Sequence, residues 1–329
     1  MKAMILAAGF GTRLQPLTLE LPKPMFPVLN RPILEHTIQL LSSQGIREIA
    51  INIHHRSEKI VEYFGDGKKF GVDLHFSTEK EILGTAGGIK KLQSFFKEEA
   101  FLVINSDVLA NVDLNDVLRF HKDKNSKLTL VVREDESVEK YHPILRSEEG
   151  RIVHFLGHSI KSSERSSRVM FTGIQIMEPD IFSRIPEDIF CGTVEDVFPK
   201  MIQDELPVFG YLHEGYWIDM GTRETYLQAQ TDALDGKLAL KFSPSRNPEG
   251  PLVVPPVHIG KNCEISQDAQ VGPYAVLGDG CRLRSGAVVE NSVLWQGATV
   301  GNNATVQNSI IGNGVNIESE KHVTDSSLS

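Results

Sequence analysis

The sequence has few cysteines and no concentrated positive charge. Its three cysteines, Cys191, Cys263 and Cys281, stand far apart and form no CxxC pair. This spacing argues against a disulfide framework and a zinc site, and it is typical of a reduced, intracellular protein. The formal net charge is −9, and no basic run occurs. A general nucleic-acid or anionic-membrane binder is therefore disfavoured, because both kinds of protein neutralise phosphates with Lys and Arg.

Long apolar runs are also missing. The N-terminal apolar run soon ends in glycine and is too short for a signal peptide, and no stretch approaches the roughly 20 apolar residues of a membrane span. We therefore expect a soluble, cytoplasmic protein. The chain has 329 residues, of which 40% are hydrophobic, so it can form one large domain or two of ordinary size.

The first part of the chain, residues 1–235, alternates short β-rich runs with helical patterns. The spacing predicts a strand at residues 48–53, a helix at residues 57–64 and a helix N-cap at Asp113. Such alternation predicts an α/β fold with a Rossmann-like mixed sheet and helices on both faces. Ligands of such sheets bind at the carboxyl ends of strands, near a switch point in strand order.

The second part follows a proline-rich linker, residues 236–257, across which we expect few contacts. In residues 258–329, aliphatic side chains recur every six residues, beginning at Ile259, Ile265 and Val271, and the spacing slips by one in two places. Hexapeptide repeats of this kind predict a short left-handed parallel β-helix. The repeats favour a homo-oligomer or a regulatory role, and acyltransferase activity is the weaker alternative, since only two edge histidines occur there.

The opening strand ends in Gly9-Phe10-Gly11, and two spaced cations, Arg13 and Lys23, follow it. The dinucleotide fingerprint needs a third glycine where Leu14 stands, and a P-loop sequence does not occur. Backbone N–H groups from Ala8 to Thr12 can point into one concavity. Arg13 can bind phosphate oxygens bidentately, and Lys23 is stiffened by flanking prolines. The segment therefore predicts a polyphosphate clamp.

These residues carry a resemblance to a known family. Residues 9–14, GFGTRL, followed by Pro16-Leu17-Thr18 and Pro22-Lys23-Pro24, resemble the signature of the nucleotide-sugar pyrophosphorylases, the sugar-1-phosphate nucleotidyltransferases. The segments EILGTAGGIK, NSD at residues 105–107 and GYWIDMGTRETYLQA resemble further motifs of this family. The repeat tail resembles that of longer members such as the mannose-1-phosphate guanylyltransferases.

The resemblance implies an enzyme that transfers a nucleotidyl group from an NTP to a sugar-1-phosphate, with Mg²⁺ and with release of pyrophosphate. Its closest layout implies GTP and mannose-1-phosphate as substrates. Two alternatives stay open. One is a glucose-1-phosphate uridylyl-, thymidylyl- or cytidylyltransferase, and the other is a catalytically silent regulatory homologue that binds an NDP-sugar.

The resemblance also implies roles for single residues, with residues 1–235 as the catalytic domain. Arg13 and Lys23 would be catalytic, and Asp107 and Asp219 would bind the metal. The remaining roles are nucleotide binding by Leu6, Ala7, Ala8, Gly9, Gly11, Thr12, Glu79, Glu81, Gly84, Thr85 and Asp107, and sugar binding by Asn105, Thr172, Gly173 and Glu195.

The two glutamates bear on the choice of base. Glu79 and Glu81 favour guanine, because one carboxylate can accept two hydrogen bonds from the N1 and N2 edge. At least one of the two is expected to be an ordinary surface residue.

The sugar side departs from the family pattern. Family members usually continue the strand at residues 150–155 with Glu-Lys-Pro, whose lysine contacts the sugar phosphate, whereas this chain has Leu156-Gly157-His158. Phe171 also stands where Asn is common. Either Arg168 or His158 could replace the missing lysine, and either could equally be a surface residue.

Overall fold

The computed structural model describes residues 1–160, 165–240 and 252–329. Half of the predicted linker, residues 241–251, lies outside the described residues. The chain forms two compact units. The first unit comprises Met1–Gly9 and Thr37–Trp217, and the second comprises Phe10–His36 and Ile218–Ser329. The glycine turn at the N-terminus is therefore divided, and Arg13 and Lys23 belong to the same unit as the repeat tail.

The strands follow the sequence pattern in chain order. They are β1 Ala3–Leu6, β2 Pro27–Val28, β3 Arg31–Pro32, β4 Glu48–Ile53, β5 Asp73–Thr78, β6 Phe101–Asn105, β7 Val108–Ala110, β8 Leu128–Arg133, β9 Ile144–Ser147, β10 Ile152–Phe155, β11 His158–Ser159, β12 Ser166–Met177, β13 Val208–Leu212, β14 Trp217–Asp219, β15 Val257–Ile259, β16 Glu264–Ile265, β17 Gln270–Val271, β18 Ala275–Leu277, β19 Arg282–Leu283, β20 Val288–Glu290, β21 Val293–Leu294, β22 Thr299–Val300, β23 Thr305–Gln307, β24 Ile310–Ile311, β25 Asn316–Ile317, β26 His322–Thr324 and β27 Ser327–Leu328.

The α-helices are α1 Leu17–Glu20, α2 Ile33–Ser43, α3 Ser57–Phe64, α4 Gly84–Lys91, α5 Gln93–Phe96, α6 Leu114–Asp123, α7 Phe198–Gln203 and α8 Arg223–Leu234. Short 3₁₀ turns occupy Thr12–Leu14, Lys23–Met25, Lys68–Phe70, Val138–Tyr141 and Pro179–Arg184, and a π turn occupies Thr193–Val197. Strand β4, helix α3 and the cap of α6 confirm the local predictions, since the Asp113 carboxylate accepts hydrogen bonds from two N–H groups of the first turn.

The first unit is built on one mixed sheet. Strands β5, β4, β1 and β6 lie side by side and are parallel. Strand β12 adds antiparallel to β6, β8 adds antiparallel to β12, and β13 pairs with β8. Strands β9, β10 and β11 form a branch beside the first half of β12. The strand order reverses between β1 and β6, so the expected Rossmann-like switch point is present, and the mixed-sheet prediction is confirmed.

Aromatic packing closes one side of this sheet. Phe101 of β6 stacks on Phe96 of α5 at a centroid distance of 4.1 Å, and on Phe182 at 5.3 Å. All three rings are buried. Rings of this size contribute much of the buried apolar area of a domain, so they fix α5 against the amino end of β6, where Phe101 lies.

The repeats of the second unit form a parallel β-helix. Every third strand pairs in register, which gives three stacks: β15, β18, β21, β24 and β27; β16, β19, β22 and β25; and β17, β20, β23 and β26. Paired residues are separated by one coil, as Val257 and Ala275 are, or Val276 and Val293. Partners are 18 residues apart at the first step of each stack and 17 apart at the later steps, so each later coil is one residue shorter, which explains the two slips in the sequence repeat. Leu277, Leu283 and Val289 are among the aliphatic side chains that fill the interior.

The N-terminal segment of the second unit packs on this β-helix. The Phe26 ring meets the Trp295 ring edge-on at 4.7 Å and the Tyr226 ring at 5.8 Å. All three side chains are at most 1% exposed. Phe26 directly follows the turn that carries Lys23, so the tail holds the segment of the predicted clamp through an apolar contact.

Hydrogen bonds fix the same cluster. Trp295 Nε1 donates to the Tyr226 hydroxyl at 3.1 Å, and that hydroxyl donates to the carbonyl of Pro27. Burial raises the pKa of Tyr226, so its hydroxyl keeps the proton that this second bond requires. Asn30 Nδ2 donates to the carbonyl of Leu277 at 2.7 Å. These contacts differ from the expectation of few contacts across the linker, because the tail covers residues that a separate N-terminal domain would expose.

We expect Trp295→Ala to lower the free energy of unfolding by about 3–5 kcal/mol, since it removes a buried indole and leaves a cavity beside Phe26. Trp295→Phe keeps one aromatic ring and should cost less than Trp295→Ala, about 1–3 kcal/mol, for the lost hydrogen bond and the smaller side chain. Leu19→Ala is the matched control, because Leu19 is 50% exposed in the same unit. Chemical denaturation of the full chain measures all three. Equal unfolding midpoints for Trp295→Ala and Leu19→Ala would contradict the packing described here.

Candidate active site

In the first unit, the carboxyl ends of three parallel strands, β4, β1 and β6, lie side by side at one edge of the sheet. Leu6 of β1 pairs with Asn52 of β4 on one side and with Asn105 of β6 on the other. Ser106 N–H continues the ladder to the Leu6 carbonyl at 3.0 Å. Two amide side chains thus flank the strand that precedes Ala7, Ala8 and Gly9. This is the position at which open α/β sheets bind ligands.

A buried hydrogen-bond chain holds the start of the glycine turn. Ala7 N–H donates to Asn52 Oδ1 at 2.8 Å, and Asn52 Nδ2 donates to Glu79 Oε1 at 2.7 Å. Glu79 Oε2 accepts from Leu83 N–H at 3.0 Å. Asn52 is 3% and Glu79 is 2% exposed. Glu79 therefore connects β1, β4 and the loop before α4, and this internal role differs from the expected contact with a base. Glu81 is exposed.

The GTAGG segment forms the first turn of α4, and it packs on the loop that contains Cys191. The Cys191 carbonyl accepts hydrogen bonds from the N–H groups of Ala86 and Gly87, at 2.9 and 3.2 Å. The Thr85 hydroxyl accepts from Thr193 N–H at 2.8 Å. These hydrogen bonds hold the segment at Gly84 and Thr85 against the loop at Cys191.

Gly88 of the same helix is required by close packing. A Cβ atom on Gly88 would lie 2.8 Å from Glu79 Oε1 and 2.9 Å from Asn52 Nδ2. Both distances are shorter than any normal contact of a carbon atom with these groups. The second glycine of the pair Gly87-Gly88 therefore allows α4 to approach the buried chain that holds Ala7.

The expected sugar-binding residues lie on neighbouring elements of the same unit. Gly173 of β12 has φ +82°, and a Cβ atom there would lie 2.7 Å from Asn105 Nδ2. The Thr172 hydroxyl donates to the Val131 carbonyl at 2.7 Å, so an internal hydrogen bond uses its proton. The Thr172 carbonyl accepts from Trp217 Nε1 at 2.9 Å.

Glu195 lies in the π turn that follows the Cys191 loop. Its side chain is exposed, and its carboxylate lies against Gly192. Gly192 N–H donates to Asp196 Oδ2 at 2.7 Å, which fixes the start of this turn. Asp196 therefore holds the loop, and Glu195 presents its carboxylate to solvent.

The second unit brings two cations and one carboxylate together. Lys23 is 9% exposed, and its Nζ lies 3.9 Å from Asp219 Oδ1. The stem of Lys23 lies against Gly11, which has φ +63°. The Arg13 guanidinium lies against Gly221, since a Cβ atom on that residue would be 2.8 Å from both terminal nitrogens. Thr12 and Arg13 are exposed. A buried lysine near Asp219, with an exposed arginine against Gly221 two residues further along the chain, can bind phosphate oxygens and a divalent cation.

The two candidate metal ligands fit Mg²⁺ chemically. Asp107 follows β6 and is half-buried, and the Asp219 side chain is 19% exposed. Over residues 1–160, 165–240 and 252–329, no three His, Cys, Asp or Glu side chains form a cluster able to hold a metal. Mg²⁺ needs no such cage, because it takes one or two carboxylates and completes its shell with water and substrate phosphates.

The predicted site residues are thus divided between the two units. The first contains the residues from Leu6 to Gly9, the α4 loop, Asn105, Asp107, Thr172, Gly173 and Glu195, and the second contains Gly11, Thr12, Arg13, Lys23 and Asp219. Sequence reasoning missed Asn52, Gly88 and Gly221. A buried polar residue at the end of an apolar strand was the available signal for Asn52, whereas the two glycines are explained only by their neighbours.

Known protein families match most of the chain. The sequence model of the family described as Nucleotidyl transferase matches residues 2–236, which is more than half of the chain. The chain belongs to the nucleotidyl transferase family. A second family, the GMPPB C-terminal domain, matches residues 253–329. The resemblance found in the sequence is confirmed, and so is an enzyme of the sugar-1-phosphate nucleotidyltransferase class.

Individual relatives cover most of the chain. A UTP–glucose-1-phosphate uridylyltransferase of Synechocystis sp. is 31% identical, over 90% of this chain and 83% of its own. A mannose-1-phosphate guanylyltransferase of Mycobacterium tuberculosis is 30% identical, over 88% of this chain and 82% of its own. Among solved structures, HddC from Yersinia pseudotuberculosis complexed with GMP-PN has a TM-score of 0.60 at 24% identity, over 70% of this chain and 99% of its own, which supports the fold alone.

In the part of the chain that the structure describes, no helix is both long enough and apolar enough to cross a membrane.

We expect Gly88→Ala to destabilise the protein by about 1–3 kcal/mol, because the added methyl group would overlap the Asn52–Glu79 hydrogen bond. Gly9→Ala is the matched control for stability, since a Cβ atom on Gly9 meets no atom within 4 Å. Thermal unfolding followed by circular dichroism compares the two variants with the wild type. A Gly88→Ala transition as high as that of Gly9→Ala would show that α4 does not depend on this close approach.

Proposed function

We propose that the enzyme uses GTP and mannose-1-phosphate to form GDP-mannose and pyrophosphate. The observation that carries this proposal is the composition of the second unit, in which Arg13 and Lys23 share one compact body with a tail of the GMPPB C-terminal type. A guanylyltransferase-type tail that packs behind the phosphate clamp favours the same pairing of substrates. The guanylyltransferase names among the relatives agree with it.

Each proposed role follows from position. Arg13 and Lys23 bind the β- and γ-phosphates and hold the charge that leaves with pyrophosphate, and Lys23 needs no large rearrangement because it is buried. Asp107 and Asp219 are the proposed Mg²⁺ ligands, and the ion supplies electrostatic stabilisation of the phosphoryl oxygens. The sugar-phosphate oxygen attacks the α-phosphorus in line. No covalent nucleophile is needed, since catalysis of this kind depends on positioning and charge.

Recognition of the base falls to Glu81 in this proposal. Glu79 already accepts hydrogen bonds at both carboxylate oxygens, so it positions the loop that carries Glu81. Glu81 is exposed two residues before Leu83 and can turn toward guanine N1 and N2. Gly84 and Thr85 let the loop approach the ribose.

A second candidate function has a specific observation in its favour. The Synechocystis relative named for UTP and glucose-1-phosphate covers 90% of this chain at 31% identity. The altered sugar side, with Phe171 and with Leu156 to His158, fits a sugar other than mannose as well.

The proposal also includes three broader features of the protein. Residues 1–235 form the catalytic part, the protein is cytoplasmic, and it forms a homo-oligomer through the β-helix.

A matrix of substrates tests the choice. We expect kcat/KM to be highest for GTP with mannose-1-phosphate among GTP, UTP, dTTP, CTP and ATP, each paired with mannose- and glucose-1-phosphate. Glu81→Gln should lower the preference for GTP over UTP by about tenfold, since one charge-assisted hydrogen bond is lost. Glu62→Gln, an exposed change on α3, is the control. A wild-type preference for UTP or dTTP with glucose-1-phosphate would replace the proposal with the second candidate.

Asp107→Asn and Asp219→Asn should each reduce kcat by roughly 100-fold or more at saturating Mg²⁺, because each removes charge from a proposed metal ligand. Asp204→Asn is the control, since Asp204 forms an exposed ion pair with Arg184. Pyrophosphate release measures turnover, and circular dichroism checks the fold. Turnover within about twofold of the wild type in either variant would remove that aspartate from the metal site.

A further inference from the structure

A cavity of about 370 Å³ opens on the branch sheet of the first unit. It is lined by His142, Pro143, Leu145, His154, Leu156 and Arg168. Two imidazoles and one guanidinium meet there with three apolar side chains. This mixture suits a ligand with an anionic group and an apolar face, such as a phosphorylated sugar.

Strand register explains why these groups converge. Leu145 of β9 pairs with His154 of β10 on one side and with Arg168 of β12 on the other. Residues directly opposite each other on neighbouring strands project from the same face of a sheet. His154 and Arg168 therefore flank Leu145 in one row, and this row is the floor of the cavity.

A turn places one histidine on the rim of the cavity. His142, at the end of the turn Val138–Tyr141, has φ +57°. Histidine is among the residues that adopt this left-handed conformation most readily. The turn thus brings a second imidazole to the cavity.

Two contacts link the cavity to the sugar-side residues. The Tyr141 ring, adjacent to His142, meets the Trp217 ring edge-on at 5.7 Å. Trp217 Nε1 donates to the Thr172 carbonyl at 2.9 Å. Arg168 lies on the same strand as Thr172 and Gly173. The cavity is thus linked through Tyr141 and Trp217 to Thr172, one of the proposed sugar-binding residues, and Leu156 at the end of β10 lines it.

Arg168 is held in a way that allows a change of partner. Its guanidinium pairs with the Glu139 carboxylate, and the two side chains are 56% and 65% exposed. Exposed ion pairs of this kind are weak. A phosphate group can bind the guanidinium bidentately and replace Glu139. His158, the other candidate for this role, lies opposite Phe155 in the hairpin formed by β10 and β11.

His154 can contribute a second donor. Its Nδ1 lies 2.6 Å from the Ser159 hydroxyl. When that hydroxyl donates to Nδ1, the ring proton is on Nε2, and the imidazole can donate a hydrogen bond from Nε2 to a phosphate oxygen.

We propose that this cavity binds the phosphate of the sugar-phosphate substrate, with Arg168 as its principal ligand, His154 as a second donor and Glu139 as the carboxylate that the substrate displaces. The proposal rests on the proposed function, because it assigns a subsite of that reaction. Pro143, Leu145 and Leu156 then contact the apolar face of the sugar ring.

Steady-state kinetics give the main test. Arg168→Ala should raise KM for the sugar-1-phosphate by roughly tenfold and leave KM for the NTP within about twofold, while Arg168→Lys recovers part of the loss. Glu139→Gln should have the opposite effect and lower KM for the sugar-1-phosphate, because Arg168 is no longer neutralised. Arg184→Ala is the matched control, since Arg184 forms an exposed ion pair with Asp204 in the same unit.

Several results would overturn the assignment. Equal sugar-1-phosphate KM values for Arg168→Ala and Arg184→Ala would do so, and so would a higher KM for Glu139→Gln. Lys161 lies outside the described residues, and a rise in KM confined to Lys161→Ala would move the phosphate contact there.

Calorimetric titration separates this inference from the proposed function. Mannose-1-phosphate, glucose-1-phosphate and inorganic phosphate are titrated into the wild type and Arg168→Ala. We expect the sugar phosphates to bind the wild type at least about tenfold more tightly than the variant, and inorganic phosphate to compete with them. Binding of inorganic phosphate without competition would identify a separate anion site and overturn the assignment. If no substrate pair turns over, the proposed function fails, and the titration still decides what the cavity binds.

Discussion

The buried contact of Phe26 with Tyr226 and Trp295 is the interaction on which the second unit depends. It joins three distant parts of the chain: the segment after Lys23, the helix after Asp219 and the β-helix. The Tyr226 hydroxyl accepts a hydrogen bond from Trp295 and donates one to the Pro27 carbonyl, and these two bonds fix the orientation of the side chains in this contact. Arg13, Lys23 and Asp219 therefore belong to the same compact unit as the repeats. Through Phe26, the tail supports the segment that carries the predicted clamp.

The first unit relies on a different device. A single amide, Asn52, accepts from the backbone of Ala7 and donates to Glu79, so the start of the glycine turn and the α4 loop share one buried hydrogen-bond chain. Buried polar groups of this kind are costly unless every member is satisfied. Gly88 is part of the same solution, since any larger residue would separate the helix from the amide. The polar chain and the apolar cluster of the second unit thus serve the same end, which is to fix backbone N–H groups and cations before a ligand binds.

Much of this could be predicted from local sequence. Strand β4 and helix α3 follow from periodicity, because each depends on neighbours a few residues away, and the stacked coils follow from the regular six-residue repeat. The role of Glu79 could not be predicted, since it depends on Asn52 in another strand and on the backbone of Leu83. The division into units could not be predicted either. A proline-rich linker indicates a boundary along the chain, whereas the packing of Phe26 on Trp295 is decided by shape and burial between residues far apart in sequence. For the same reason the sequence left Arg168 and His158 as equal candidates, and the proposal for Arg168 depends on the register of β9 with β10 and β12.

The two cations proposed to bind phosphate, Lys23 and Arg168, also differ in how they are held, and the difference fits the two proposed roles. Lys23 is buried, its stem lies against Gly11, and its ammonium stands 3.9 Å from Asp219. Its position is therefore set by packing, which keeps it in place whether or not a nucleotide is present. Arg168 is more than half exposed and is held by an ion pair with Glu139. Its position is set by a weak electrostatic contact, which a stronger anion can displace. A group that must stabilise a departing pyrophosphate benefits from a fixed charge, because no reorganisation is then needed during the reaction. A group that admits a substrate benefits from an exchangeable one, because the carboxylate that holds it also keeps it from binding weaker anions.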